Sequence, residues 1–215
     1  MASMERWAKR TAERISLQMK YDEDKKAVIA YGLTAMIQMA TIFVIISIFG
    51  LFFGFWMESV VIFLGVGIIR KSTGGAHSAT MLGCILISVS SISLLSAAAR
   101  YIFDISINIY LNCFVSIFIY LLCFVVFYLR VPVDTPNKPI VKPEKIKRLR
   151  KQSFLILTAF FLLSMVCVFL TGWNTRFFSL AVIIRLTMLW QALTLTRLGQ
   201  VFFAWIDVGF RGVSA

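Results

Sequence analysis

The chain is 215 residues long, 60% hydrophobic and only 15% charged, with a mean hydropathy of +0.86. A soluble domain is typically about 45–50% apolar, so this excess, gathered in long and nearly uncharged blocks, excludes a water-soluble fold and makes lipid the solvent for most of the chain. The net charge of +12 would suggest nucleic acid in a soluble protein; here the cations lie between and beside apolar blocks, the positive-inside pattern, and no nucleic-acid partner is expected.

Residues 1–26 read as a surface segment. Met4, Trp7, Ala8, Thr11, Ile15 and Met19 recur at three- and four-residue steps, with Glu5, Arg6, Lys9, Arg10, Glu13 and Arg14 in the other positions. That is an amphipathic helix, lying either on the membrane or on the face of its own protein. The stretch 21–26 is a polar break. No short apolar core with a cleavage site follows the charged start, so no signal peptide is expected.

Between Ala27 and Ile69 the only charge is Glu58. The block is too long for one span of about 20 residues, and a turn at Gly50–Gly54 divides it into helices at 28–49 and 55–70. Glu58 falls near the far interface, where a carboxylate ordinarily snorkels. The 70–77 loop returns the chain to water. A third helix over 78–99 carries Ser88, Ser90, Ser91, Ser93 and Ser96; small residues allow close approach, which predicts a central place in the bundle.

A fourth helix covers 105–129. The 130–152 loop begins with Pro132, Pro136 and Pro139, which preclude a regular helix there. Lys142, Lys145, Lys147, Arg148, Arg150 and Lys151 follow as a basic run. Helices at 153–170 and 177–198 complete six spans, and Arg185 inside the last must face a partner or a water-filled cavity. Residues 199–215 read as a short tail. The expectation is an all-α membrane protein: one integral membrane domain over 1–215, with an amphipathic 1–26 and a six-helix bundle over 27–198. The N-terminal segment, both hydrophilic loops and the C-terminus then share one side, and Arg100 and Arg176 are left on the other. Lysine and arginine asymmetry assigns the charged side, with both termini, to the cytoplasm, where thiols stay reduced.

The chemistry-bearing stretch is Arg70-Lys71-Ser72-Thr73-Gly74-Gly75-Ala76-His77, continuing to Cys84. His77 is the only histidine, and Cys84 is one of four cysteines with Cys113, Cys123 and Cys167, none in a CxxC pair. One histidine and few carboxylates leave too few ligands for a metal site, and no cofactor is expected. A cysteine and a histidine are the minimum of a thiol nucleophile with its base. On an ideal helix a seven-residue step puts both on one face but separates them by about 10.5 Å along the axis. His77 is therefore expected off the regular helix, with Gly74 and Gly75 folding the backbone back. Ser78 is the expected N-cap, and Cys84 gains from the positive helix end. A core cysteine and a satisfied interfacial histidine would show the same residues, and spacing does not separate the two readings.

Arg70, Gly74-Gly75-Ala76-His77, Cys84, the Pro132–Pro139 stretch and the basic run together resemble the accessory gene regulator protein B family, membrane peptidases of Gram-positive quorum sensing. The likeness runs over essentially the whole chain. It implies a cysteine endopeptidase of the cell membrane acting on a short amphipathic propeptide with an acidic C-terminal tail. His77 is then general base and Cys84 nucleophile. The acyl-enzyme is resolved by the substrate's own cysteine or hydroxyl, giving a thiolactone or lactone peptide. Arg70, Lys71, Gly74 and Gly75 become candidates for substrate binding or the oxyanion. Lys142, Lys145, Lys147, Arg148, Arg150 and Lys151 become candidates for docking the acidic tail. A homodimer is implied as well, and membrane lipid is the remaining partner. Asp134 and Glu58 are the candidates for a third group holding His77. A peptide exporter with Arg185 on its path, or a non-catalytic scaffold, stands as the alternative.

Overall fold

The computed structural model describes residues 2–19, 21–76, 78, 80–102, 108–133 and 143–211. Helix α1, Ala2–Met19, buries Ala8, Ala12 and Ser16 at four-residue steps against the second helix, while Trp7, Leu17 and Met19 stay exposed. The protein-facing stripe is thus the small residues rather than the aromatic and long apolar ones. Asp22 then caps α2, Glu23–Phe53, its Oδ1 accepting from the Lys25 amide at 3.0 Å. The polar break is only two described residues wide, because Glu23 and Asp24 sit favourably at a helix N-terminus.

The first corner also falls later than Gly50. Helix α2 runs on to Phe53, and Gly54 ends it at φ +74°. The Phe55 amide reaches back to the Gly50 carbonyl at 2.9 Å, the closure that follows a left-handed residue at a helix end. Gly50 serves the packing: a Cβ there would stand 2.7 Å from Trp56 Cα. Helix α3 covers Trp56–Thr73. Helix α4, Met81–Ala97, continues as a π-helical turn over Ala98–Ile102. Its N-cap is Thr80, not Ser78; Thr80 Oγ1 accepts from the Gly83 amide at 3.1 Å, and Ser78 Oγ accepts from the Thr80 amide at 3.3 Å.

Helix α5 is Ile109–Arg130, and α6 is Pro143–Leu170. The basic run from Lys145 onward is therefore the opening of a helix rather than loop; Pro143 is at home at a first helical position, where no amide hydrogen is needed. Helix α7 is Arg176–Leu195. After Thr196 the chain forms α8, Arg197–Arg211, where a tail was expected. Its spacing of Leu198, Val201, Phe202 and Trp205 gives one apolar stripe, exposed in the protein.

Among the described residues there is no strand. The protein is an all-α membrane protein, since helices and closed barrels alone satisfy their backbone in lipid. Among the described residues, five helices are long and apolar enough to cross a membrane: α2, α4 with its π-helical turn, α5, α6 and α7. Six were expected. The sixth, α3, has 18 residues that include Glu58, Arg70 and Lys71, and it packs among α2, α4, α6 and α7.

The central helix is α7, not α4. Of its most apolar stretch, 67% is buried within the protein, against 39% for α4. One side of α7 packs Ala181, Ile184, Met188 and Ala192 onto α5 and α6; the other packs Phe178, Val182 and Ile183 onto α2, α3 and α4. Small residues let α4 approach closely but do not decide which helix is surrounded. Arg185 lies in this packed interior, 6% exposed, donating to Asn112 Oδ1 at 3.2 Å and to Ser164 Oγ at 3.4 Å. It faces partners on α5 and α6, with Nη2 buried and unpartnered among the described residues. At the end of the bundle with the α2–α3 corner, Glu58 pairs with Arg100 at 3.8 Å and Tyr101 Oη donates to the Phe53 carbonyl.

Gly50→Ala pushes a methyl into the Trp56 backbone and is expected to cost about 1–3 kcal/mol. Thermal unfolding in detergent checks this, and an unchanged midpoint would contradict the tight corner.

Candidate functional site

Helix α3 ends because Gly74 and Gly75 take backbone that other residues resist, at φ +72°, ψ −145° and φ +138°. A non-helical segment near lipid must have its polar groups met by protein, and two elements do so here. From α7, Gln191 Nε2 donates to Thr73 Oγ1 at 2.8 Å and to the Gly74 carbonyl at 2.9 Å. One turn on, the Thr194 carbonyl accepts the Ala76 amide at 3.1 Å. From the segment after α5, the Val133 amide donates to the Thr73 carbonyl at 2.9 Å. A Cβ on Gly74 would collide with the Val133 carbonyl oxygen, and one on Gly75 would stand 3.1 Å from Thr194 Oγ1. The two stretches singled out in the sequence, the glycine loop and the start of the proline segment, are thus in direct contact.

Arg70 and Lys71 diverge, as neighbours about 100° apart on a helix must. Arg70 turns inward: Nη2 donates to the Ala76 carbonyl, and its guanidinium interacts electrostatically with the Cys84 thiol and the Tyr31 phenol. Its Nε is buried without a partner among the described residues. Lys71 turns outward into a cleft of about 640 Å³ between α3 and α6, where Lys145 and Arg148 join it.

Cys84 is a free thiol, 8% exposed, in the first turn of α4. Its amide makes a 3.1 Å bond to the Thr80 carbonyl. Capping at Thr80 places the thiol nearer the helix start than capping at Ser78 does. His77, Asp134 and Lys142 lie outside the described residues. Arg150 leaves the basic run for α5, donating to the Tyr128 carbonyl at 2.8 Å with its guanidinium 5.0 Å from the Tyr128 ring. Lys147 and Lys151 are exposed away from the cleft. Glu58 is 12 residues, or about 18 Å, along α3 from Arg70 and is engaged with Arg100.

Sequence reasoning missed Gln191 and Thr194. The available signal was a carboxamide in an otherwise apolar span, since intramembrane polar groups are expensive and usually have a job. Among the described residues no group of three histidine, cysteine, aspartate or glutamate side chains could hold a metal ion.

The sequence profile of Accessory gene regulator B (AgrB) matches residues 8–195. A protein of Clostridium perfringens strain SM101 described as AgrB-like is 31% identical over 208 residues, spanning 95% of this chain and 96% of its own. A second AgrB-like protein, from C. perfringens strain 13, is 32% identical over 211 residues, with the same coverage of both chains. No solved structure matches the chain. With the profile over most of its length and relatives covering nearly all of it, the chain belongs to the accessory gene regulator B family, membrane proteins of quorum sensing.

Proposed function

We propose that the protein is a membrane cysteine endopeptidase that removes the acidic tail of a quorum-sensing propeptide and closes the remainder into a ring. The observation that carries this is Cys84: a free thiol in the capped first turn of α4, interacting electrostatically with Arg70, whose guanidinium also holds the Ala76 carbonyl of the glycine loop.

In this reading His77 takes the Cys84 proton, and Sγ attacks the carbonyl carbon at the junction of signal and tail. Thr80 takes up the Gly83 and Cys84 amides; those of Met81 and Leu82 have no intrahelical acceptor and are the kind of donor a developing oxyanion needs. The C–N bond breaks, the tail's new amine leaves with the proton from His77, and a thioester to Cys84 remains. A substrate thiol or hydroxyl then gives its proton to His77 and attacks the thioester carbon. Cys84 departs as thiolate and the ring closes. Thioester-to-thiolactone exchange is close to balanced, whereas amide to thioester is uphill, so loss of the tail or removal of product draws the sequence forward. Cys84's burial restrains water from the acyl-enzyme.

The cleft of Lys71, Lys145 and Arg148 suits the acidic tail, which would leave Arg70 for the reacting end of the peptide. These cations gather where the glycine loop lies. That supports a cytoplasmic placement for this face, with both termini on the same side, in one membrane domain.

Co-expression with an acidic-tailed, cysteine-containing propeptide is expected to give cleavage that disappears in Cys84→Ala and in His77→Ala at unchanged membrane levels. Cleavage surviving Cys84→Ala would end the peptidase reading. The double variant Lys145→Gln/Arg148→Gln is expected to raise KM about threefold to tenfold with little change in kcat, the scale of two exposed ion pairs. Amidating the tail carboxylates should erase that difference; a KM that ignores both changes would remove the tail from the cleft.

A further inference from the structure

The cleft between α3 and α6 is cationic at one end and aliphatic at the other. Lys71, Lys145 and Arg148 supply the cations; Ile68, Leu155 and Ile156 supply the aliphatic part. The two helices run antiparallel here, since Gly65 lies against Phe160, where a Cβ would stand 3.3 Å from its ring. That places Ile68 level with Leu155 and Ile156, and Lys71 nearer the start of α6. On α3 no charge stands between Glu58 and Arg70, and on α6 none follows Lys151. The boundaries between charged and apolar sequence thus lie within about one turn of each other, and the cleft straddles the level where headgroups give way to hydrocarbon.

The α6 wall is graded. Lys145, Arg148, Gln152 and Ile156 follow at three- and four-residue steps, so one face passes from cation through carboxamide to aliphatic. The rise from Arg148 to Gln152 is about 6 Å, and one headgroup layer is about 5–8 Å deep. The donors along this wall are uncommitted: Lys71, Lys145, Arg148 and Gln152 bond to no described residue. Glu144, in the first turn of α6, does not line the cleft. Three cations without a carboxylate suit an anion with several oxygens. The aliphatic end selects among such anions. Ile68 and Leu155 are exposed in the protein, and only a hydrocarbon chain gains by covering them. A free anion, or a peptide tail of carboxylates alone, leaves that half of the cleft empty.

We propose that the cleft binds one anionic phospholipid, with its phosphate on Lys71, Lys145 and Arg148 and an acyl chain along Ile68, Leu155 and Ile156. Gln152 lies at the depth of the ester carbonyls and donates to one of them. The lipid site stands on the cleft alone. Its consequence for substrate rests on the peptidase reading: an acidic tail arriving at the same cations displaces the headgroup, so these charges are neutralised before loading as well as after it.

The full-length protein is placed in phosphatidylcholine nanodiscs containing a trace of phosphatidylglycerol with a diazirine in its acyl chain. After irradiation the labelled peptides are mapped, and label is normalised to that on the exposed Phe114 and Phe118 face of α5. The segments around Ile68 and Leu155 should be labelled in excess, and unlabelled phosphatidylglycerol should deplete them. A phosphatidylcholine probe of the same design should show no excess there. Lys145→Gln/Arg148→Gln should cut the excess about tenfold, whereas Lys147→Gln/Lys151→Gln, which removes the same charge from the same helix outside the cleft, should stay within about twofold of the unaltered protein. Equal loss in both double variants overturns the site, because the lipid then answers to net charge. Equal labelling by the phosphatidylcholine probe overturns it as well. So does displacement by glycerol 3-phosphate alone, which would mark an anion site that needs no chain. These probe and competition arms use the unaltered protein and decide the matter even where a variant fails to accumulate. A synthetic acidic tail peptide should also displace the label; one that leaves it in place overturns the displacement with the lipid site intact. Labelling needs no chemistry at Cys84, so it can succeed or fail independently of the cleavage assay.

Discussion

The structure turns on a stretch of backbone that is not helical at the edge of a helical bundle. Thr73 to Ala76 leaves the end of α3 with its amides and carbonyls pointing into protein, and lipid offers them nothing. Gln191, Thr194 and Val133 meet those groups from the central helix and from the segment after α5. Remove that set of bonds and the loop has no reason to hold a shape, because two adjacent glycines impose none by themselves. The deep burial of α7 follows from the same demand: it must reach the loop and still bridge the α5–α6 pair to the α2–α4 group.

Several polar pairs elsewhere join one helix to another. Arg185 is matched by Asn112 and Ser164, Glu58 by Arg100, and Ser59 meets Ser96 across α3 and α4 at 3.1 Å. Each ties helices that apolar contact alone would leave free to slide, since lipid tails compete equally for an apolar surface. Ser47 Oγ, Ser93 Oγ, Arg185 Nη2, Arg70 Nε and Gln191 Oε1 are buried without partners among the described residues, and the last two belong to groups that hold the same loop.

Much of this was legible in the sequence. Long uncharged blocks give membrane helices because hydropathy over about 20 residues is a strong signal. The need of Arg185 for partners followed from its depth. Helix ends were less legible. Asp22 with Glu23 and Asp24, and Pro143 at a first helical position, were readable start signals, yet they lie inside stretches whose charge reads as loop. Helix α8 was hidden because Leu198, Val201, Phe202 and Trp205 are too sparse for a span, although their spacing fits one face of a helix. The candidate site was half legible. The run from Arg70 to Cys84 declares itself by composition, whereas Gln191 touches Thr73 from 118 residues away. No local pattern encodes a contact of that kind, and the divergence of Arg70 from Lys71 likewise needs the helix faces in three dimensions.

Helix α8 leaves α7 after a single residue and sends one aromatic ring inward. Phe203 packs on Ala76 and Ile87, while Leu198, Val201, Phe202 and Trp205 look away from the protein. The carboxyl-terminal helix therefore lies with its inner surface on the glycine loop and an apolar outer surface. Shortening the chain ahead of Phe203, or pulling this helix outward with a bulky fusion, would strip the apolar cover from Ala76, so the far end of the polypeptide is mechanically part of the loop it follows by more than 100 residues.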